Sequence, residues 1–136
     1  MSQVLVDTSV WIDALNGKQT WQTKMLDRLI SEDAPVVFCP TIIQEILQGI
    51  KEDKDFLLVK DAISGFELLS IDPIEAAVGA ASLYRDARKQ GITIRKSNDC
   101  LIAFYAISCK AELLHNDTDF DRIAQYTALE ILSSSV

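Results

Sequence analysis

Residues 113–124 read LLHNDTDFDRIA. Two leucines close an apolar run, and Asp117, Asp119 and Asp121 then follow at alternate positions. An apolar segment cut off by a polar turn, with a new helical pattern behind it, is how a strand hands over to a helix. The same handover occurs at VLVDTSVWID (4–13). There Val4–Val6 reads as a short strand ending at Asp7, and Ser9 to Leu15 as a helix stopped by Asn16–Gly17. A second helix is expected from Thr20 to about Glu32, with Trp21, Met25, Leu26, Leu29 and Ile30 at helical spacing. Val36–Cys39 reads as a strand closed by Pro40. Thr41 and Gln44 have capping-box spacing for the next helix, whose apolar face is Ile42, Ile43, Ile46, Leu47 and Ile50. Another helix runs from about Asp53 to Ser64, and Phe66–Ile71 follows as a strand. Asp72–Pro73 opens a long helix with a stripe of Ile74, Ala77, Val78, Ala81 and Tyr84. Ser97 is expected to cap a helix that is apolar nearly all round from Cys100 to Ile107. Glu112–His115 and Ala128–Leu132 complete the strands. Strands separated by helices predict an α/β fold with a parallel sheet covered on both faces.

Composition sets limits on function. The chain has 136 residues, the size of one ordinary domain, and is expected to form a single domain over 1–136. An apolar fraction of 49% suits a globular core. The longest apolar run, Cys100 to Ile107, is too short to span a bilayer, so no membrane partner is expected. MSQVLVDTS lacks a basic region followed by a long apolar stretch, which reads as no signal peptide and a cytoplasmic protein. Cys39, Cys100 and Cys109 lie in apolar segments without zinc-ligand spacing and read as reduced core residues. The single His115 directly follows two leucines, which suits a core or strand-end residue better than a catalytic triad or a zinc ligand. A net charge of −7 argues against broad electrostatic binding of nucleic acid. It is compatible with a nuclease whose acids hold divalent cations.

In a parallel sheet, ligands bind beyond the carboxyl ends of the strands. Asp7 ends the first strand, Glu45 lies near the start of the helix after the second, Asp99 lies in the first turn of the Ser97 helix, and Asp117 follows the strand Glu112–His115. All four are therefore expected at one edge. Each also has an ordinary alternative. Asp7 and Asp117 suit helix caps, Asp99 suits the positive end of a helix dipole, and Glu45 lies away from the Ile42/Ile46/Ile50 face, where a solvated Glu is common. Convergent carboxylates repel unless a cation offsets them. Oxygen ligands without His or Cys suit Mg²⁺ or Mn²⁺, which drive phosphodiester hydrolysis without a His base.

Taken together, VLVDTSVWID (4–13), TIIQEILQG (41–49), SNDCLIAFYA (97–106) and LLHNDTDFDRIA (113–124) resemble the PIN-domain ribonucleases, most closely the VapC toxins of prokaryotic toxin–antitoxin pairs. The resemblance implies a three-layer α/β/α sandwich with a central, mostly parallel sheet of four or five strands. It implies Mg²⁺- or Mn²⁺-dependent cleavage of single-stranded RNA, a homodimer, and a cognate VapB-like antitoxin as partner. Asp7, Glu45, Asp99 and Asp117 match the acidic quartet around the metal. Ser9 matches a hydroxyl that supports the first Asp, and Asp119 a further, less constant acid. Asn98 is a plausible supporting neighbour.

Arg95 and Lys96 precede Asp99 and should emerge beside it, where RNA phosphates would pass, or simply form a solvated loop. Two rival readings come from other classes. A phosphoacceptor receiver domain also gathers acids at strand ends, but His115–Asn116–Asp117 stands where it wants a Lys. A catalytically inactive PIN-like binding module is the second, and the intact quartet argues against it.

Overall fold

Very short apolar strands carry the frame, and the computed structural model describes residues 2–134. In chain order the elements are β1 (Val4–Val6), α1 (Thr8–Leu15), α2 (Trp21–Ser31), β2 (Val36–Phe38), α3 (Pro40–Gln48), α4 (Asp53–Ile63), β3 (Glu67–Leu68), α5 (Pro73–Lys89), α6 (Ser97–Ser108), β4 (Glu112–Leu114) and α7 (Thr118–Ala124). The four strands form one sheet in the order β3-β2-β1-β4. Every pairing is parallel, with Val4 opposite Val36 and Glu112, and Val37 opposite Glu67. No helix among the described residues is long and apolar enough to cross a membrane.

Alternation along the strands splits the core in two, as a period of two requires. Leu5, Val37 and Leu113 point into the larger cluster, which holds Ile42 and Ile46 of α3, Leu83 and Ala87 of α5, Ile102 and Ala106 of α6, and Phe120 and Ile123 of α7. Val4, Val6, Val36 and Leu114 point to the other side and meet Val10 of α1 and Leu26 and Leu29 of α2. Helices thus cover both faces, giving the α/β/α sandwich.

Several local expectations are corrected. Thr41 does not cap α3: the helix begins one residue earlier, at Pro40, and Cys39 holds the cap position without a side-chain bond. Proline's fixed φ favours the first helical position, so it sets the start. Likewise Lys96 holds the cap position of α6 and Ser97 is its first helical residue. The expected strand over 66–71 shrinks to β3, an exposed edge pair, although Leu69 N still donates to Phe38 O at 2.7 Å. The expected last strand is only a parallel bridge between Ile131 and Leu113.

Helix faces also shift. The face that α5 buries carries Ala76, Leu83 and Ala87, while Ile74 and Val78 are 72% and 62% exposed. α5 lies close against α6, and a Cβ at Gly79 would overlap the Phe104 ring, so that position of the contact takes only glycine. On α2 the exposed residues include Trp21 and Ile30, while Gln22 and Thr23 are buried. Thr23 turns inward because it completes a reciprocal capping box with Thr20.

Candidate metal centre

The carboxyl ends of β1 and β4 place two acids side by side. Asp7 N donates to Leu114 O at 2.9 Å, extending the β1–β4 ladder by one bond. Asp7 then caps α1: its Oδ2 accepts from Ser9 N at 3.0 Å and from Ser9 Oγ at 2.6 Å. Asp117 caps α7 in the same way, with Oδ1 accepting from Asp119 N at 3.0 Å. Capping and convergence are therefore compatible, since a carboxylate that caps with one oxygen keeps the other. Ser9 stands between the two loops, because its Oγ also accepts from Asn116 N at 3.1 Å.

Glu45 is drawn inward by two other elements. Its Oε1 accepts from Thr8 Oγ1 at 2.7 Å and its Oε2 from Asn98 Nδ2 at 3.4 Å. Thr8 was not anticipated from the sequence; its only signal was its place directly after Asp7.

Asp99, in the first turn of α6, is 4% exposed. Its Oδ2 is buried and has no hydrogen-bond partner among the described residues. Burial pushes its pKa up to about 7, helped by the neighbouring charges of Asp117 and Asp7 and opposed by Lys96. Asp7 is also raised, by burial first; its bonds from Ser9 pull the other way, and the charge of Glu45 adds to the rise.

Asp119 is fully buried and differently employed. Its Oδ2 accepts from Arg95 N at 3.2 Å and Arg95 Nε at 3.4 Å, and Arg122 Nη1 lies 3.4 Å from its Oδ1. Arg95 Nη2 also reaches Asp117 Oδ1 at 3.2 Å, and Lys96 Nζ lies 3.8 Å from Asp117 Oδ2. The basic pair thus does emerge at the acidic edge. Arg122 was missed, although an Arg at i+3 from an acid on a helix is a readable signal.

The ring of His115 is occupied on both sides. Nδ1 accepts from Asp117 N at 3.0 Å, so the proton sits on Nε2, which donates to Asp121 Oδ1 at 3.1 Å. This uncharged imidazole braces the loop, and it gives Asp121 a partner that the sequence did not reveal. Asp13 likewise accepts from Asn116 Nδ2 at 3.3 Å.

Asp7, Glu45, Asp99 and Asp117 line one crevice of about 360 Å³, together with Ser9, Lys96 and Asn116. Asp99, Asp117 and Asp119 each bring a carboxylate oxygen within 4.8 Å of the others. The set offers oxygen only, and one buried oxygen lacks a partner among the described residues, which fits a hard divalent cation. Cys39 and Cys100 are buried free thiols in the core.

The PIN domain family matches residues 4–126. Ribonuclease VapC11 of Mycobacterium tuberculosis is 37% identical over 131 residues, covering 96% of this chain and 98% of that protein. The VapC ribonuclease Mb1587 of Mycobacterium bovis matches at the same identity and coverage. Among solved structures, VapBC2 from Rickettsia felis, crystallised with a DNA fragment from its promoter, superposes with a TM-score of 0.74 at 19% identity, over 96% of this chain and 97% of that one. VapBC-1 from nontypeable Haemophilus influenzae gives 0.73 at 18% identity, over 98% and 99%. The structural matches share the fold, and the sequence matches carry the kinship: the chain belongs to the PIN-domain family, among its VapC ribonucleases.

Proposed function

We propose that this chain is a Mg²⁺- or Mn²⁺-dependent endoribonuclease, with Asp7, Glu45, Asp99 and Asp117 as its catalytic and metal-holding acids. The observation that carries the reading is the buried Oδ2 of Asp99, without a partner among the described residues, in a crevice lined by three more carboxylates. When bound, a divalent cation supplies Lewis acidity toward phosphate oxygens and lowers the pKa of water. The chain's own residues do the positioning. Ser9 fixes Asp7, while Thr8 and Asn98 hold Glu45 toward the crevice. Asp119 anchors the loop before α6 through the backbone and side chain of Arg95. Lys96 lines the crevice and Arg95 pairs with Asp117 beside it, which supports a role for this basic pair toward RNA phosphates.

The same reading makes the chain a single-domain toxin acting in the cytoplasm as a homodimer and restrained by a VapB-like antitoxin. The relatives from Rickettsia felis and Haemophilus influenzae were solved as VapBC assemblies, which supports a partner of that kind. The test is cleavage of single-stranded RNA by purified protein with Mg²⁺ or Mn²⁺, with EDTA, and with Asp99→Asn. Wild type should cut only with metal, and Asp99→Asn should lose at least a hundredfold in rate while keeping its circular dichroism. Wild-type turnover by the variant would remove Asp99 from the mechanism.

A further inference from the structure

A second depression adjoins the acidic crevice. It has a volume of about 350 Å³, and Asn116 and Asp117 line both hollows. Its other walls include Trp21, Gln22, His115 and Asp121. No Lys or Arg lines it, so it does not suit a phosphate. It does suit a flat, uncharged ring with polar edges. Trp21, the first residue of α2, is 40% exposed, whereas the other tryptophan, Trp11, is partly buried and stacked on Phe38. An indole part-exposed at the rim of a hollow offers a flat face on which another ring can stack.

Gln22 supplies the second observation. It is 9% exposed, and its Nε2 makes two long bonds of 3.4 Å, to His115 O and Asn116 Oδ1. Gln22 thus puts an amide, held by its nitrogen, in the same hollow as the indole of Trp21: a hydrogen-bonding group next to a stacking platform. Asp121 adds acceptor capacity on the same wall, having only one oxygen engaged by His115. The lining thus favours rings that present N–H donors.

We propose that this depression is a nucleobase subsite, in which Trp21 stacks on one unpaired base next to the phosphate being cut and Gln22 reads its edge. It rests on the ribonuclease reading above. Through it the enzyme would choose where along an RNA to cut. Bases with exocyclic amino groups should be preferred there over uracil.

The test uses single-stranded RNA oligomers carrying one abasic nucleotide at each position around a mapped cut. Cleavage is followed with wild type, Trp21→Ala and Trp21→Phe. In wild type, one position flanking the cut should be sensitive, with kcat/KM falling about tenfold when its base is removed, in keeping with stacking of a single base. Trp21→Ala should lose that sensitivity and raise KM more than it lowers kcat, and Trp21→Phe should restore most of both. In an Asp99→Asn background, binding of the intact oligomer should quench indole fluorescence, and Trp21→Phe should abolish the quenching. Cleavage by Trp21→Ala with the wild-type pattern of abasic sensitivity overturns the subsite alone. Absence of metal-dependent cleavage by wild type overturns the ribonuclease reading, and the subsite with it.

Discussion

Asp99 sits where burial and charge both oppose ionisation. In the folded chain it titrates near 7, against 3.8 when free of its surroundings. Between those values the folded state holds a proton that the unfolded chain releases. Its contribution to stability is therefore complete below about pH 3.8 and is lost as pH rises through about 7. The metal-free protein is expected to melt at a lower temperature at about pH 8 than at about pH 5.5. Asp99→Asn should flatten that slope and raise the melting temperature at the higher pH by several degrees, about 1 kcal/mol for a chain of this size. Adding Mn²⁺ should stabilise wild type at the higher pH by mass action and do much less for the variant. Scanning calorimetry in EDTA and in Mn²⁺ checks all three, and parallel pH slopes for both proteins would count against the charge argument. That Asp7, Asp99 and Asp117 meet at one edge was legible because Asp7 and Asp117 directly follow strands and Asp99 opens a helix. The orientation of Glu45 was not legible, since Thr8 and Asn98 reach it from two other elements.

Element order was readable from the sequence, and element faces were less so. Strand-helix alternation follows from short apolar runs broken by turn residues, and all four strands pair in parallel. Which face of α5 is buried depends on what it meets. The Phe104 ring fills the space over Gly79, and Ala76, Leu83 and Ala87 lie inward while Ile74 and Val78 are left outside. No pattern within α5 alone announces that. The edge strands were overestimated for a related reason: apolar content over 66–71 and 128–132 does not guarantee a continuous ladder with one neighbour. The exposed pair has a consequence for assembly. Ile74 and Val78 stand one turn apart on α5, and a second copy of the chain would remove both from water. Under the homodimer proposal, Val78→Glu is expected to halve the mass measured by light scattering at micromolar concentration, while circular dichroism stays that of wild type. A variant of unchanged mass would place the dimer contact elsewhere.

At the scale of the whole molecule, charge and apolar exposure together set what the proposed antitoxin would meet. A net charge of −7 with acids gathered at one edge draws cations. The chain already answers part of this itself, since Arg95, Lys96 and Arg122 approach Asp117 and Asp119. Asp7, Glu45 and Asp99 have no cationic partner among the described ion pairs. A guanidinium from an antitoxin could enter there and pair with two carboxylate oxygens, in competition with metal and phosphate. Not far along the chain, α4 has no buried residue and exposes Leu57 and Leu58 at 62% and 61%. Leu58 also borders an apolar trough of about 200 Å³ with Trp11, Leu15 and Ile46. An amphipathic antitoxin helix seated on that trough would bury these side chains while a basic residue beyond it reached the acids. Two independent contributions to affinity are then expected. Raising the salt concentration should weaken the complex, mainly through the association rate, and so should exchanging the basic residue for Ala. Leu58→Asp should weaken it at least tenfold at any salt concentration, through dissociation, because it removes apolar burial. Surface plasmon resonance with the cognate antitoxin separates the two: a Leu58→Asp complex that dissociates at the wild-type rate would move the partner off α4, and an affinity indifferent to salt would take the basic residue out of the crevice.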